Sequence, residues 1–175
     1  MPRIHSFPPI ESRNARVMIL GSMPSMASLA ANQYYAHPRN AFWRIVAETV
    51  GFDPALPYNG RVRAVKAAGI AVWDVLQSCT REGSLDSGID RNSLKVNDFG
   101  SFFRTHPAIE RVYFNGAKAE ECFNRHVLGK IETGAICYAR LPSTSPAHAS
   151  LSFAQKRKAW RVIVEASKTT PGVKR

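Results

Sequence analysis

Cysteine is scarce and scattered: Cys79, Cys122 and Cys137 are the only three in 175 residues. An odd number at such separations, none with a close Cys or His neighbour at metal-ligand spacing, suggests neither a disulfide framework nor a zinc site. Apolar runs long enough to cross a bilayer are missing, and Met1-Pro2-Arg3-Ile4-His5 lacks the charged-then-apolar pattern of a signal peptide. The expectation is a soluble, intracellular, cytoplasmic protein that needs no membrane and no metal. Acidic residues are also few, 13 Asp and Glu against 24 Lys and Arg, for a formal charge of +11. That balance favours a polyanionic partner, nucleic acid being the simplest, although basic composition also serves plain solubility.

Internal repeats and low-complexity segments are absent too, so the chain reads as one ordinary domain rather than an array or a linker. Its 45% apolar content fills a single core. We expect residues 1–168 to form that domain, acting as a monomer, and 169–175 to be a flexible tail. Four short β-rich runs, 16–21, 69–74, 111–115 and 135–141, alternate with helix-like stretches, the pattern of parallel strands joined by crossover helices.

Helical spacing of Phe42, Ile45, Val46 and Val50 ahead of Gly51 predicts an amphipathic helix, and a second, carrying Val62 and Val65, is expected over 60–68. Ser152-Phe153-Ala154-Gln155 has the form of a capping box. The helix it opens sets Phe153, Trp160, Ile163 and Val164 on one face, with Lys156, Arg157, Lys158 and Arg161 forming a cationic exterior. The Ser-, Gly- and Asp-rich stretch 78–92 is expected to be a surface loop rather than a site.

In a parallel sheet, ligands settle beyond the carboxyl ends of the strands, so the loops after all four runs should open onto one rim. The first of these loops holds Gly21-Ser22-Met23-Pro24-Ser25. It is not a phosphate-binding P-loop, which ends in Gly-Lys-Ser/Thr, nor a nucleophile elbow with a Ser between glycines. Ser22 and Ser25 suit an anion nest or a helix cap. Tyr34-Tyr35-Ala36-His37-Pro38-Arg39-Asn40-Ala41-Phe42-Trp43 then gathers aromatics, an amide and a cation, which are the groups that stack on a nucleobase and read its edge.

Taken with Leu141-Pro142-Ser143-Thr144-Ser145-Pro146-Ala147 near the C-terminus, these two segments resemble the uracil-DNA glycosylase superfamily, and within it the hypoxanthine-DNA glycosylase (deoxyinosine glycosylase) branch. The likeness runs from about Val17 to about Ser150. It implies a three-layer α/β/α sandwich on a central four-stranded parallel sheet. It also implies a monofunctional enzyme of base-excision repair, nucleoid-associated, that uses no cofactor. Such an enzyme flips a deaminated base, here hypoxanthine, out of double-stranded DNA and hydrolyses its N-glycosidic bond.

The resemblance sets Gly21, Ser22 and Met23 against the base. Many relatives carry a carboxylate or amide at the Met23 position to hold the attacking water, and methionine cannot. By the pattern of the hypoxanthine branch that duty falls to Asn40, a residue equally suited to cap the helix that follows. Tyr35 matches the ring that stacks on the extruded base, with Tyr34 a core residue instead. Asn115, ending the third run before Gly116, is placed to pair with the base edge. Ser143, Thr144, Ser145 and His148 lie on the loop that meets the DNA backbone in the minor groove.

His37 is expected to shape its loop, and Asp74, alone among Asp74, Asp86 and Asp90, to face the cleft. Two other readings remain at this point. One changes the base to uracil, xanthine or a mismatched pyrimidine; the other is a catalytically silent DNA-binding module.

Overall fold

The computed structural model describes residues 2–168, so the tail expected at 169–175 lies outside the described residues. Four parallel strands form the centre: β2 (Val17–Gly21), β3 (Ile70–Asp74), β6 (Arg111–Asn115) and β7 (Cys137–Leu141), in the order β3-β2-β6-β7. Each falls within one of the four β-rich runs. β2 and β3 are buried along their whole length, which explains their near-continuous apolar sequences.

Alternate residues feed opposite layers. Met18, Leu20, Ala71, Trp73, Val112 and Phe114 pack with Phe99, Phe102 and Phe103 of α4 (Phe99–Thr105) and with Cys122 and Phe123 of α5 (Ala117–His126). Val17, Ile19, Ile70, Val72 and Tyr113 pack on the other side. Their partners there are α2 (Phe42–Val50), α3 (Tyr58–Ala67), α6 (Phe153–Trp160) and α7 (Val162–Lys168), through Phe42, Ile45, Val65, Trp160 and Ile163. The architecture is thus the three-layer α/β/α sandwich.

Helix boundaries follow local chemistry. Gly51 ends α2 at φ +99°, where a side chain would be strained. At α6 the capping box is complete: Gln155 N donates to Ser152 Oγ at 3.2 Å and Ser152 N donates to Gln155 Oε1 at 2.8 Å.

Two features depart from the sequence reading. A second, antiparallel sheet, β1 (Arg3–His5), β4 (Leu76–Thr80) and β5 (Lys95–Val96) in the order β1-β4-β5, takes up the start of the stretch expected to be loop. Small polar residues such as Ser78 sit in β4 because Arg3 donates two hydrogen bonds to the Ser78 hydroxyl. Lys156, assigned to the cationic exterior, is buried at 6% exposure; it lies three residues after Phe153 and four before Trp160, on the inward face.

Candidate active site

The chain leaves β2 through Gly21 into the loop that starts α1 (Met26–Ala31). Ser25 caps this helix by accepting from Ser28 N, and Ser28 Oγ in turn accepts from Ala36 N at 3.1 Å. That second bond folds the 33–40 segment back over the end of β2. Tyr35 sits in the left-handed region at φ +54°, which costs about 1–2 kcal/mol for a residue with a side chain.

The strain is offset by packing: the Tyr35 ring stacks on Phe42 with centroids 4.0 Å apart and planes 22° from parallel. Its hydroxyl is buried close to Asn115 but makes no hydrogen bond of good geometry. Burial first, and the Asp74 charge second, push this phenol well above its ordinary range, so it remains a neutral donor. Tyr34, as expected, is a core residue. Its hydroxyl donates to Pro8 O at 2.9 Å and its carbonyl accepts from Trp43 Nε1 at 2.7 Å. His37 shapes the loop, its Nδ1 accepting from Arg39 N.

Asn40 is half-buried on the rim, and its Oδ1 accepts from Phe42 N at 3.0 Å, closing the turn before α2. The helix starts one residue later than the capping alternative supposed: Ala41 is its N-cap and has no side-chain cap bond, and Asn40 makes an Asx turn just ahead of it. The turn leaves one Oδ1 lone pair and the NH2 group for other work. Ala41 N, next along, donates to Thr144 O at 3.0 Å and ties this segment to the loop after β7.

Asn115 ends β6. Its Nδ2 donates to Thr144 Oγ1 and its Oδ1 accepts from Thr144 N, both at 2.9 Å, so the orientation of the carboxamide is fixed. Gly116 follows at φ +91°, where a methyl group would come within 3.0 Å of Ser143 Cβ. A side chain there would drive the two loops apart. Thr144 itself is 1% exposed, with its hydroxyl turned inward to Asn115 instead of outward to a phosphate.

Ser143 and Ser145 are half-buried, and their hydroxyls accept from Ser145 N and Ala147 N at 3.2 Å, shaping two tight turns while keeping each O–H to donate. The loop is held from behind by Lys156, whose Nζ donates to His148 O at 2.6 Å and Ser145 O at 3.5 Å. Sequence reading assigned Lys156 no such part, although its helical spacing from Phe153 and Trp160 carried the signal. The His148 ring lies beside Ser150 Oγ at 3.3 Å.

Asp74, at the end of β3, is buried at 3% exposure, and its Oδ2 has no hydrogen-bond partner among the described residues. Burial, then the neighbouring Asp86, raise its pKa to about 7, against a smaller opposing pull from Arg81. Asp86 was not expected here. The 3₁₀ turn Asp86–Gly88 folds over the rim, and Ser22 Oγ shares its hydrogen bond between the two Asp86 oxygens at 2.8 and 2.9 Å. Arg81, also buried, donates through Nη2 to Pro24 O at 2.6 Å and through Nε to Gly83 O at 2.9 Å. Nothing local in the sequence announces a contact spanning 64 residues between Ser22 and Asp86.

These groups border one cleft of about 120 Å³, with Gly21, Ser22, Met23, Tyr35, Asn40, Asn115 and Ser143 to Ser145 around it. That volume is well below the 300 Å³ or more typical of drug-sized sites and suits a single flat heterocycle. Every site residue expected from the sequence except His148 borders it, joined by Asp74 and Asp86. Among the described residues no three His, Cys, Asp or Glu side chains are grouped to hold a metal ion, and no helix is long and apolar enough to cross a membrane.

Known proteins resemble this chain. Two curated hypoxanthine DNA glycosylases, from Methanosarcina barkeri and Methanosarcina acetivorans, are each 37% identical over 116 residues, 66% of this chain and 72% of theirs. A solution NMR structure from Methanosarcina acetivorans, assigned provisionally as a uracil DNA glycosylase, superposes with a TM-score of 0.80 at 30% identity, covering 96% of this chain and all of that one. The family model for the uracil DNA glycosylase superfamily matches residues 8–164, and with the fold in agreement, this chain belongs to that superfamily of DNA glycosylases.

Proposed function

We propose that this chain is a monofunctional DNA-deoxyinosine glycosylase, which hydrolyses the N-glycosidic bond of hypoxanthine extruded from duplex DNA. The observation that carries the reading is the convergence of Tyr35, Asn40 and Asn115 on one base-sized cleft in a chain 37% identical to curated hypoxanthine DNA glycosylases. Tyr35, held by its stack on Phe42, lines the cleft where a base would lie against it, and such stacking is worth about 1–3 kcal/mol for any base.

Cleavage builds positive charge on the sugar while the C1′–N9 electron pair withdraws into the purine. A water oxygen bonds to C1′, the base departs with that electron pair and takes up a proton, and an abasic sugar remains. Asn40 holds the water: the free lone pair of Oδ1 accepts one of its hydrogens and aims its oxygen at C1′. Because Phe42 N pins the same Oδ1, the amide does not rotate, and closing the turn before α2 and placing the water become two uses of one side chain.

Asn115, clasped by Thr144, lines the cleft wall with its polarity set. Ser143 and Ser145 hydroxyls, with His148 beside them, meet the flanking phosphates. The charge of +11 supplies the general attraction to DNA. No lysine borders the cleft among the described residues, so water rather than an amine is the nucleophile.

The test is a panel of duplexes, each carrying hypoxanthine, uracil, xanthine or a mismatched pyrimidine, scored for free base and abasic strand. Hypoxanthine released fastest supports the proposal. A faster release of uracil or xanthine moves the chain to another specificity in the superfamily, and salt-sensitive binding without any abasic product makes it a silent binding module.

A further inference from the structure

We infer that Met26 and Leu85 form an apolar edge that packs on the unstacked base beside the extruded nucleotide, a DNA contact separate from the loop after β7. The inference rests on the glycosylase reading above and extends it from the damaged base to its neighbour. Exposure, placement and charge carry it.

Four large apolar side chains among the described residues stand open to solvent, and two of them, Met26 at 52% and Leu85 at 59%, belong to the mouth of the cleft. Each follows a serine that lines it, Ser25 and Ser84, and Met26 N donates to Ser84 Oγ at 3.0 Å, which makes the two segments neighbours. Leu56 and Leu128, the other two, do not border the cleft.

Leu85 is held in that position. It lies in the turn 82–88, whose ends are joined by Glu82 N donating to Gly88 O at 3.1 Å. Asp86 beside it is bound by the Ser22 hydroxyl, and Arg81 at the foot of the turn donates to Gly83 O and to Pro24 O. A fixed turn that presents leucine outward, next to an exposed methionine at the mouth of a binding site, is the mark of a contact surface.

The sheet order sets where this edge stands. The segments that follow β2 and β3 carry Met26 and Leu85, and those strands lie two and three places from β7, about 10–15 Å at ordinary strand spacing. The edge and the Ser143 to Ser145 loop therefore flank the base-sized cleft from its two sides, one for each neighbour of the nucleotide extruded between them.

Charge selects the face of a base over a phosphate. Glu82 and Asp86 are the only charged residues of 82–88 and repel phosphate oxygens, while Met26 and Leu85 offer apolar surface. Extruding a nucleotide unstacks the base next to it, and aliphatic side chains pressed against such steps replace the lost stacking. A second copy of the chain is the less suited occupant, since two molecules of charge +11 repel each other.

The test compares wild type with Met26→Ala/Leu85→Ala, with the apolar exchange Met26→Leu/Leu85→Met and with the distant control Leu56→Ala/Leu128→Ala, each shown to be folded by thermal melts. Single-turnover excision from a hypoxanthine duplex is one measurement. The other is binding to an undamaged duplex and to a duplex holding a stable reduced abasic site with 2-aminopurine on one side of it or the other, a base whose fluorescence rises when it unstacks. The double alanine variant should excise about tenfold more slowly or worse, with binding to undamaged duplex changed less than about threefold. Its fluorescence rise should be lost at one of the two neighbours and kept at the other. The apolar exchange and the distant control should both behave as wild type.

A double alanine variant equal to wild type in rate and fluorescence, an equal loss of undamaged-duplex binding, or an apolar exchange that fails like the alanines would each overturn the assignment and leave the glycosylase reading intact. So would a wild-type dimer that the alanines dissolve, since the edge would then join two copies. No abasic product from wild type would overturn both readings.

Discussion

Asn115 and Thr144 hold each other twice across 29 residues of chain, amide nitrogen to hydroxyl and backbone N–H to amide oxygen, each at 2.9 Å. This clasp joins the end of β6 to the loop after β7, and through Thr144 O to Ala41 it also reaches the start of α2. One buried threonine thereby sets the spacing of the three segments that carry Asn40, Asn115 and the Ser143 to Ser145 loop.

Thr144→Val keeps the volume and deletes the hydroxyl, leaving Asn115 Nδ2 unpaired. The expected cost is about 1–3 kcal/mol in urea unfolding together with slower excision, because the loop and the amide lose their shared orientation. Unchanged stability and rate in this variant would show that the clasp does not hold the site.

Gly21 has no room for a side chain. Gly21→Ala would place a methyl 2.6 Å from Asp74 Oδ1 and 2.9 Å from Tyr35 Oη, both buried against the cleft wall. We expect a folded protein with excision reduced by about tenfold or more, since either movement spoils the surface that meets the base. Full activity would mean that the base seats elsewhere.

The raised pKa of Asp74 has a consequence for stability. Its folded value, about 7, lies above the ordinary 3.8, so the native state binds the proton more tightly and the wild type loses stability as pH climbs from about 4 to about 7. Removing the ionisable group removes that loss. Asp74→Asn should therefore be more stable than wild type at pH 8, by an amount on the order of 4 kcal/mol if the unfolded side chain is unperturbed, and the advantage should shrink toward pH 5. A difference in Tm that is flat with pH would contradict the raised value.

Lys156 tethers the loop after β7 through the carbonyls of His148 and Ser145. Lys156→Met preserves most of the buried stem and removes the donor. Weaker duplex binding with a nearly unchanged single-turnover rate at saturating enzyme is the expected pattern, since Lys156 itself does not border the cleft and its short bond is to His148 O, on the part of the loop beyond it. A loss confined to the chemical step would give Lys156 a different role.

The strands, the order of motifs and a few helix ends were legible in the sequence because their signals are local: apolar runs, the Ser152 capping box and Gly51. The rim could be placed from those strands, and the family resemblance then picked out Tyr35, Asn40 and Asn115 on it before any coordinates. What the sequence hid depends on distant pairing. Asp86 reaches Ser22 only because β4 turns back into a second sheet, and Ser78 reads as loop until Arg3 supplies its partner. The inward turn of Thr144 is likewise invisible locally, since a Ser-Thr-Ser run surrounded by proline looks uniformly exposed.

The central claim is that these rim loops catalyse removal of hypoxanthine with Asn40 placing the water. Wild type and Asn40→Ala, each in excess over a duplex holding one hypoxanthine, can be followed by alkali, which breaks the strand wherever a base has been lost. Strand breakage at the hypoxanthine with wild type, and its loss in Asn40→Ala at undiminished duplex binding, is the predicted result. An intact strand with wild type, or equal breakage with the variant, would contradict the account.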